Sequence, residues 1–162
     1  MPDSIYQRQQ HRFASLDEVN RHLELLLSNG YVSLGKWNLA QVCEHLRDWL
    51  LYPLDGYPKS PFPISSILWC IKVTAGKSML RKLIASGKMS DGSPTAPQSV
   101  HDAIGLDDKS STLRLKDAIK RFEQYSGELR PSPVFGTLSK EVGLQLQLVH
   151  CAHHLSFLVL RD

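Results

Sequence analysis

Apolar residues recur at three- and four-residue spacing through several stretches of the chain and almost nowhere alternate strictly with polar ones. In the first stretch Leu16, Val19, Leu23 and Leu26 share one helical face. Ser15-Leu-Asp-Glu18 opens it as a capping box, with the Ser15 hydroxyl accepting from the third helical amide and Glu18 reaching back to the Ser15 amide. Asn29-Gly30 supplies a left-handed stop, so a helix is predicted over about 16–29. A second helix opens at Asn38, with Gln41 at its third position, runs through LAQVCEHLRDWLLY and is bounded by Pro53.

Pro53, Pro58, Pro61 and Pro63 make 52–63 an extended connection. The segment ISSILWCIKVTAGKSMLRKLIAS then reads as helical in its second part, with Gly87 as its stop, and GSPTAPQ at 92–98 is turn-rich and expected to be flexible. Leu113, Leu115, Ala118, Ile119 and Phe122 form the apolar stripe of a helix over about 109–126, ended by Gly127. Ser139 caps a last helix over about 140–159. No alternation is long enough to build a sheet, and there is no internal repeat. The pattern predicts an all-α fold: one domain, 1–162, in which the first, second, fourth and fifth segments form a four-helix bundle. The segment 64–87 lies in a long crossover that lets two consecutive bundle helices run parallel.

Composition narrows the function classes more than the fold. Of 162 residues, 42% are hydrophobic and 22% charged, the balance of a globular domain rather than a disordered one. A net charge of +3 is mild, so nucleic acid is not an expected partner. Cys43, Cys70 and Cys151 are odd in number, widely spaced and free of any CxxC, which points to free thiols in a reducing compartment. There is no signal-like apolar stretch near the start and no run long enough to span a bilayer, so a cytoplasmic protein with no membrane partner is expected.

The chemistry that stands out is HCAHH, residues 150–154, inside the apolar run LQLQLVHCAHHLSFLVL. His150 and His154, four apart, face the same side of a helix and can converge on one ion. Seven His among 162 residues give such a pair by chance roughly 0.3 times per chain, so the spacing needs corroboration. The apolar setting supplies some, because buried imidazoles demand partners that a shared cation meets. A face simply exposed to solvent is the plainer alternative. A zinc-like ion wants a third ligand, and His45, at the border of the second helix's apolar stripe, is the best candidate, though ordinary boundary histidines sit in such places too. His153 is ambiguous. His11, His22 and His101 read as solvated surface residues, and Cys151 as a small packed hydrophobe.

HCAHH is not the zinc-protease signature, which needs Glu where Cys151 stands. Ala75-Gly-Lys-Ser78 mimics the end of a phosphate loop, but Ile71 occupies the place of the first glycine. Lys72, Lys77, Arg81, Lys82 and Lys88 read as a solvated helix face, and Trp37, Trp49 and Trp69 as core or boundary aromatics.

Trp37-Asn38-Leu-Ala-Gln41-Val-Cys-Glu-His45-Leu46, followed about a hundred residues later by His150-Cys-Ala-His153-His154-Leu, resembles the DinB-like (YfiT-like) metal-binding superfamily. Pro133-Val-Phe135-Gly136-Thr-Leu138-Ser139-Lys-Glu141 is similar to an uncharacterised, domain-of-unknown-function branch of it. The resemblance implies an up-down-down-up bundle with a divalent ion, nickel, zinc or iron, held by the three matching ligands His45, His150 and His154. Ser132 and Gly143 depart from the pattern, standing where a histidine and a bulky aromatic are expected.

Three histidines leave coordination positions for water or a ligand, the pattern of a catalytic site. The resemblance implies metal-dependent thiol transfer or hydrolysis on a small-molecule substrate, such as a low-molecular-weight thiol; a non-catalytic, metal-stapled binding module is the alternative. Self-association as a homodimer is left open. Gln41 and Asp48, flanking His45, are candidates to orient a ring N–H, although both also suit an ordinary polar helix surface.

Overall fold

Local capping starts each long helix where the sequence predicts it. α1 spans Leu16–Asn29, with the Ser15 hydroxyl accepting from the Glu18 amide. The Glu18 carboxylate bonds the Ala14 amide, one residue earlier than the predicted box. α2 spans Leu39–Asp55, and here Asn38 and Gln41 form the complete reciprocal box. α3 spans Ile64–Thr74 and α4 spans Gly76–Ser86, closed by Gly87 in the left-handed conformation. α5 spans Asp108–Gln124 under an Asp107 cap, and α6 spans Lys140–Leu155 under a Ser139 cap. The computed structural model describes residues 6–92 and 95–161; Ser93 and Pro94, within the stretch expected to be flexible, lie outside the described residues, as do 1–5 and 162.

The six helices make the protein mostly helical, and one apolar core joins four of them. It is built from Leu16, Val19, Leu23 and Leu26 of α1, Leu39, Leu46 and Leu50 of α2, Leu115, Ile119 and Phe122 of α5, and Leu148 and Leu155 of α6. Side-chain pairing fixes the directions. Ala40, Cys43 and Asp55 of α2 meet Asp108, Thr112 and Arg121 of α5 in the same order, so these two helices run parallel. His45 and Trp49 of α2 meet His150 and Gln147 of α6 in reverse order, so that pair is antiparallel. Parallel α2 and α5 bring two helix N-termini together, and Asp108 sits between them. Its carboxylate accepts from the Ala40 amide at 3.0 Å and the Tyr31 hydroxyl at 3.1 Å, where a negative charge suits both helix dipoles.

Several predicted boundaries move, each for a non-local reason. α6 stops at Leu155 rather than 159, because Leu158–Leu160 forms a strand, β2, paired antiparallel with β1, Tyr31–Ser33, in register Val32 to Val159. The two strands are three residues each, too short to show alternation. α5 ends at Gln124, with Tyr125 rather than Gly127 as its cap, and Leu113, predicted to join the apolar stripe, is 54% exposed. α3 is helical throughout, although only the second part of its segment was expected to be. Trp69 is 58% exposed rather than a core or boundary residue.

Two glycines explain themselves by close approach. A Cβ on Gly76 would collide with the Val134 carbonyl oxygen, so the glycine in Ala75–Ser78 serves packing of the α3–α4 junction rather than a phosphate loop. A Cβ on Gly143 would lie 2.5 Å from Leu129 Cδ1, which leaves no space for the bulky aromatic expected there. Ser132, in place of the expected histidine, accepts from the Val134 and Phe135 amides and shapes the same loop.

The most informative departure is Pro53, which lies inside α2 instead of ending it. A proline in a helix has no N–H for the carbonyl four residues earlier. That carbonyl belongs to Trp49, and it accepts from Gln147 Nε2 of α6 at 2.8 Å. The helix thus continues through the proline, with a neighbouring helix supplying the missing donor. Gln147→Leu should destabilise the protein by about 1–3 kcal/mol in urea unfolding, the usual cost of an unpartnered buried acceptor. In a Pro53→Ala background the same change should cost less, because the new amide can satisfy the carbonyl; equal costs in both backgrounds would count against this pairing.

Candidate metal centre

His45 projects from the middle of α2, and His150 and His154 from successive turns of α6. The Trp49–Gln147 bond lies one turn from the His45–His150 contact, so the proline-induced tie sets the register in which these rings meet. One ligand atom from each of the three rings lies within 4.8 Å of the others. His45 Nε2 and His150 Nε2 are 3.1 Å apart. Two nitrogens bound at about 2.0–2.1 Å to one ion stand roughly 2.9–3.4 Å apart for angles between square and tetrahedral, so this spacing suits a shared cation.

The cluster is enclosed. His45 is 1% exposed and His150 7%, while His154 is half-buried. The indole of Trp37 stacks on His154 with centroids 5.6 Å apart and planes 15° from parallel, and Trp49 meets His150 edge-on at 5.3 Å. Burial lowers the His45 pKa to about 4 and holds His150 and His154 well below the ordinary histidine range, with repulsion from neighbouring histidines adding to the latter two. All three are therefore neutral near pH 7, the form that offers a lone pair to a metal.

A backbone carbonyl orients the first ring. Ser99, at the end of a 3-10 turn over Pro97–Ser99, is fully buried, and its carbonyl accepts from His45 Nδ1 at 2.9 Å. This bond assigns the proton of neutral His45 to Nδ1 and turns the Nε2 lone pair toward α6. The Trp49 indole N–H donates to the Ser99 hydroxyl, which in turn donates to the Ala96 carbonyl. Nothing in the sequence marks Ser99, since the group it contributes is one every residue has.

Gln41 and Asp48 do other work than the predicted orientation of a ring. Gln41 Oε1 accepts from the Asn38 amide while its Nε2 donates to the His101 carbonyl. Asp48 pairs with His101 Nε2 at 2.7 Å and with Arg47 at 3.0 Å. Together they hold the 99–101 segment against α2 and so support the Ser99 carbonyl, while the Asp48 charge also acts on His45 directly, opposing part of the effect of burial. His101 is accordingly engaged rather than a free surface residue.

The other histidines also depart from solvated surface. His11 and His22 lie with ring centroids 4.4 Å apart beside Phe13, both half-buried, and each has an Nε2 with no protein partner. Burial, then repulsion from His11, lowers the His22 pKa to about 4. His153 stays outside the trio: its Nδ1 lies 3.4 Å from an Arg8 guanidinium nitrogen. A cavity of about 330 Å³, lined by Arg8, Arg12, Lys88, Asp91, His153 and Ser156 among others, lies alongside the last turn of α6. Cys151 is fully buried and outside the trio, and burial pushes its thiol up to about 12, consistent with a packed hydrophobe.

The donor set fits a divalent ion: three neutral imidazoles converge, with His45 Nε2 and His150 Nε2 at the spacing of two ligands to one ion. His150 Nδ1, the other nitrogen of that ring, is buried without a protein partner.

The pKa directions fix the sign of the pH dependence. His45 and His22 resist protonation when folded but take up protons near pH 6.5 when unfolded. Their contribution is intact above 6.5 and is lost as pH falls toward about 4. Metal-free protein should lose stability across that window, at about 1.4 kcal/mol per pH unit for each proton bound only by the unfolded chain. Urea midpoints measured at intervals from pH 7 to 4 test this; a flat profile would mean the rings are not desolvated.

No curated protein and no solved structure matches the chain. One family model does, over residues 5–161, and its description is "Protein of unknown function (DUF1569)". Covering nearly the entire chain, that match means the protein belongs to the DUF1569 family.

Proposed function

We propose that this protein binds a divalent metal through His45, His150 and His154 and uses it as a small-molecule enzyme, a thiol transferase or hydrolase of the DinB-like kind. The observation that carries the reading is the convergence of three neutral imidazoles, two buried and one half-buried, from two helices on one point. The direction of the helices supports the corresponding architecture, an up-down-down-up four-helix bundle of α1, α2, α5 and α6. α2 and α5 run parallel, and α6 opposes α2. Glu24 of α1 pairs with Lys116 of α5 while Tyr31, just past α1, reaches Asp108 at the start of α5, so α1 opposes α5.

The bound ion would act as a Lewis acid, lowering the pKa of a thiol or water at neutral pH. The protein's own residues prepare that chemistry. Ser99 keeps the His45 proton on Nδ1, and the surrounding apolar side chains keep all three rings unprotonated. Trp37 and Trp49 exclude water from two of the rings. No cysteine or carboxylate joins the trio among the described residues, so three side chains leave coordination for a molecule from outside. His154, the half-buried member, is the ring nearest to being reachable, and the cavity beside its neighbour His153 offers room for a small substrate. Arg12 and Lys88 on its wall favour an anionic group there.

Elemental analysis of the purified protein tests the assignment. About one nickel, zinc or iron per chain is expected, and His45→Ala or His154→Ala should reduce retention by at least tenfold while the circular dichroism stays helical. Stoichiometric metal unaffected by either substitution would refute the ligand set. Turnover of a low-molecular-weight thiol with an electrophile, or of an ester, that is lost with chelator and regained with metal separates the enzyme from a metal-stapled module.

A further inference from the structure

The segment 56–90 differs from the rest of the chain in charge and in burial. It contains Lys59, Lys72, Lys77, Arg81, Lys82 and Lys88 and no Asp or Glu, so six of the chain's 19 basic residues stand there against none of its 16 acidic ones. The remainder, 13 basic against 16 acidic, is net negative. Elsewhere cations are commonly paired, as Arg47 and Arg114 are with Glu44, Lys116 with Glu24 and Arg121 with Asp55. Among the described residues, none of the six in this segment forms an ion pair or a side-chain hydrogen bond.

The same segment exposes its apolar side chains. α3 has the sequence ISSILWCIKVT and not one buried residue. Phe62 is 83% exposed, Trp69 58%, and Ile67 and Val73 each 55%. Burying such residues is what ordinarily stabilises an apolar helix, so a solvent-facing α3 with this composition is short of a partner. It is nevertheless held in place: Gly76 seats the α3–α4 junction against the Val134 carbonyl, and Leu80 of α4 is buried.

We infer that the bent helix formed by α3 and α4 docks on an anionic lipid surface, with Trp69 and Val73, which share one face of α3, entering the headgroup boundary and Lys77 and Arg81 meeting lipid phosphates. Charge decides among occupants. A second copy seated face to face would bring like charges together with no acid in the segment to offset them. Nucleic acid would engage the cations but leave exposed aliphatic and aromatic residues without a role. A lipid interface uses both, since apolar and aromatic side chains partition into it while cations are drawn to its negative surface. Among the described residues no helix is long and apolar enough to cross a membrane, and this contact needs none. It does not depend on the metal reading.

Co-sedimentation of the intact protein with vesicles tests it, using phosphatidylcholine containing about one-third phosphatidylglycerol and phosphatidylcholine alone. Binding is expected to the anionic vesicles only, weakening as salt is raised, with a blue shift in tryptophan emission that Trp69→Phe diminishes. Lys77→Glu with Arg81→Glu, and separately Trp69→Asp with Val73→Asp, should each lower the partition coefficient at least tenfold. All four positions are exposed, so helicity by circular dichroism should stay at the parent level and separate lost docking from lost folding. Four results would each overturn the proposal: no anionic-vesicle binding, equal binding to neutral vesicles, variants that bind as the parent does, or a dimer in solution that Trp69→Asp with Val73→Asp dissolves.

Discussion

The arrangement depends on how one backbone carbonyl is satisfied. Pro53 leaves the Trp49 carbonyl without its helical donor, and Gln147 from the antiparallel α6 supplies one. A buried acceptor tolerates little drift from its donor, because hydrogen bonds weaken steeply with distance and angle. The bond therefore fixes the register of α2 against α6. One turn away that register becomes the meeting of His45 with His150, and one further turn of α6 brings His154 to the same point. A shift of one residue would rotate a ligand by about 100° away from the others.

Register alone would bring together three imidazoles that repel when protonated. Burial removes that difficulty by making the charged forms costly, and the cost is visible in how far all three are held below the ordinary histidine range. The same burial creates demand for polar partners. Ser99 answers it for His45, whereas one nitrogen of His150 has no answer within the protein. What favours a cation is the donor set itself: two Nε2 atoms 3.1 Å apart, a third imidazole within reach of both, and all three rings held neutral.

The helix starts were legible because capping is local: Ser15, Asn38 and Ser139 each bond an amide within three residues. The ends were not, because what terminates or prolongs a helix here lies far away in sequence. α2 continues past Pro53 by virtue of a residue 94 positions later, Gln147, and α6 stops early because Val159 pairs with Val32. The trio of histidines was legible from i,i+4 spacing on one helix plus a stripe-border position on another. Its orienting group was not, since a backbone carbonyl leaves no trace in residue type. Gln41 and Asp48 were read as partners of His45 from helical angle alone, which says where a side chain starts but not which competitor, here the 99–101 segment, it meets first.

His11 and His22 failed as surface predictions for a related reason: isolated polar neighbours in sequence gave no hint that the arm before α1 folds back so that the two rings face each other. That arm also carries Arg8 and Arg12 to the cavity beside His153, and Ser86 and Lys88 reach the same wall from the end of α4. The exposed apolar α3 and the wall of this cavity are thus parts of one continuous element pair, joined through α4, which packs on α6. α4 is seated on the body of the protein through Leu80 and the Gly76 contact, and it packs on α6, the helix that carries His150 and His154. The cationic, apolar-tipped segment and the imidazoles are therefore joined through one helix, whose register against α2 is held by Gln147.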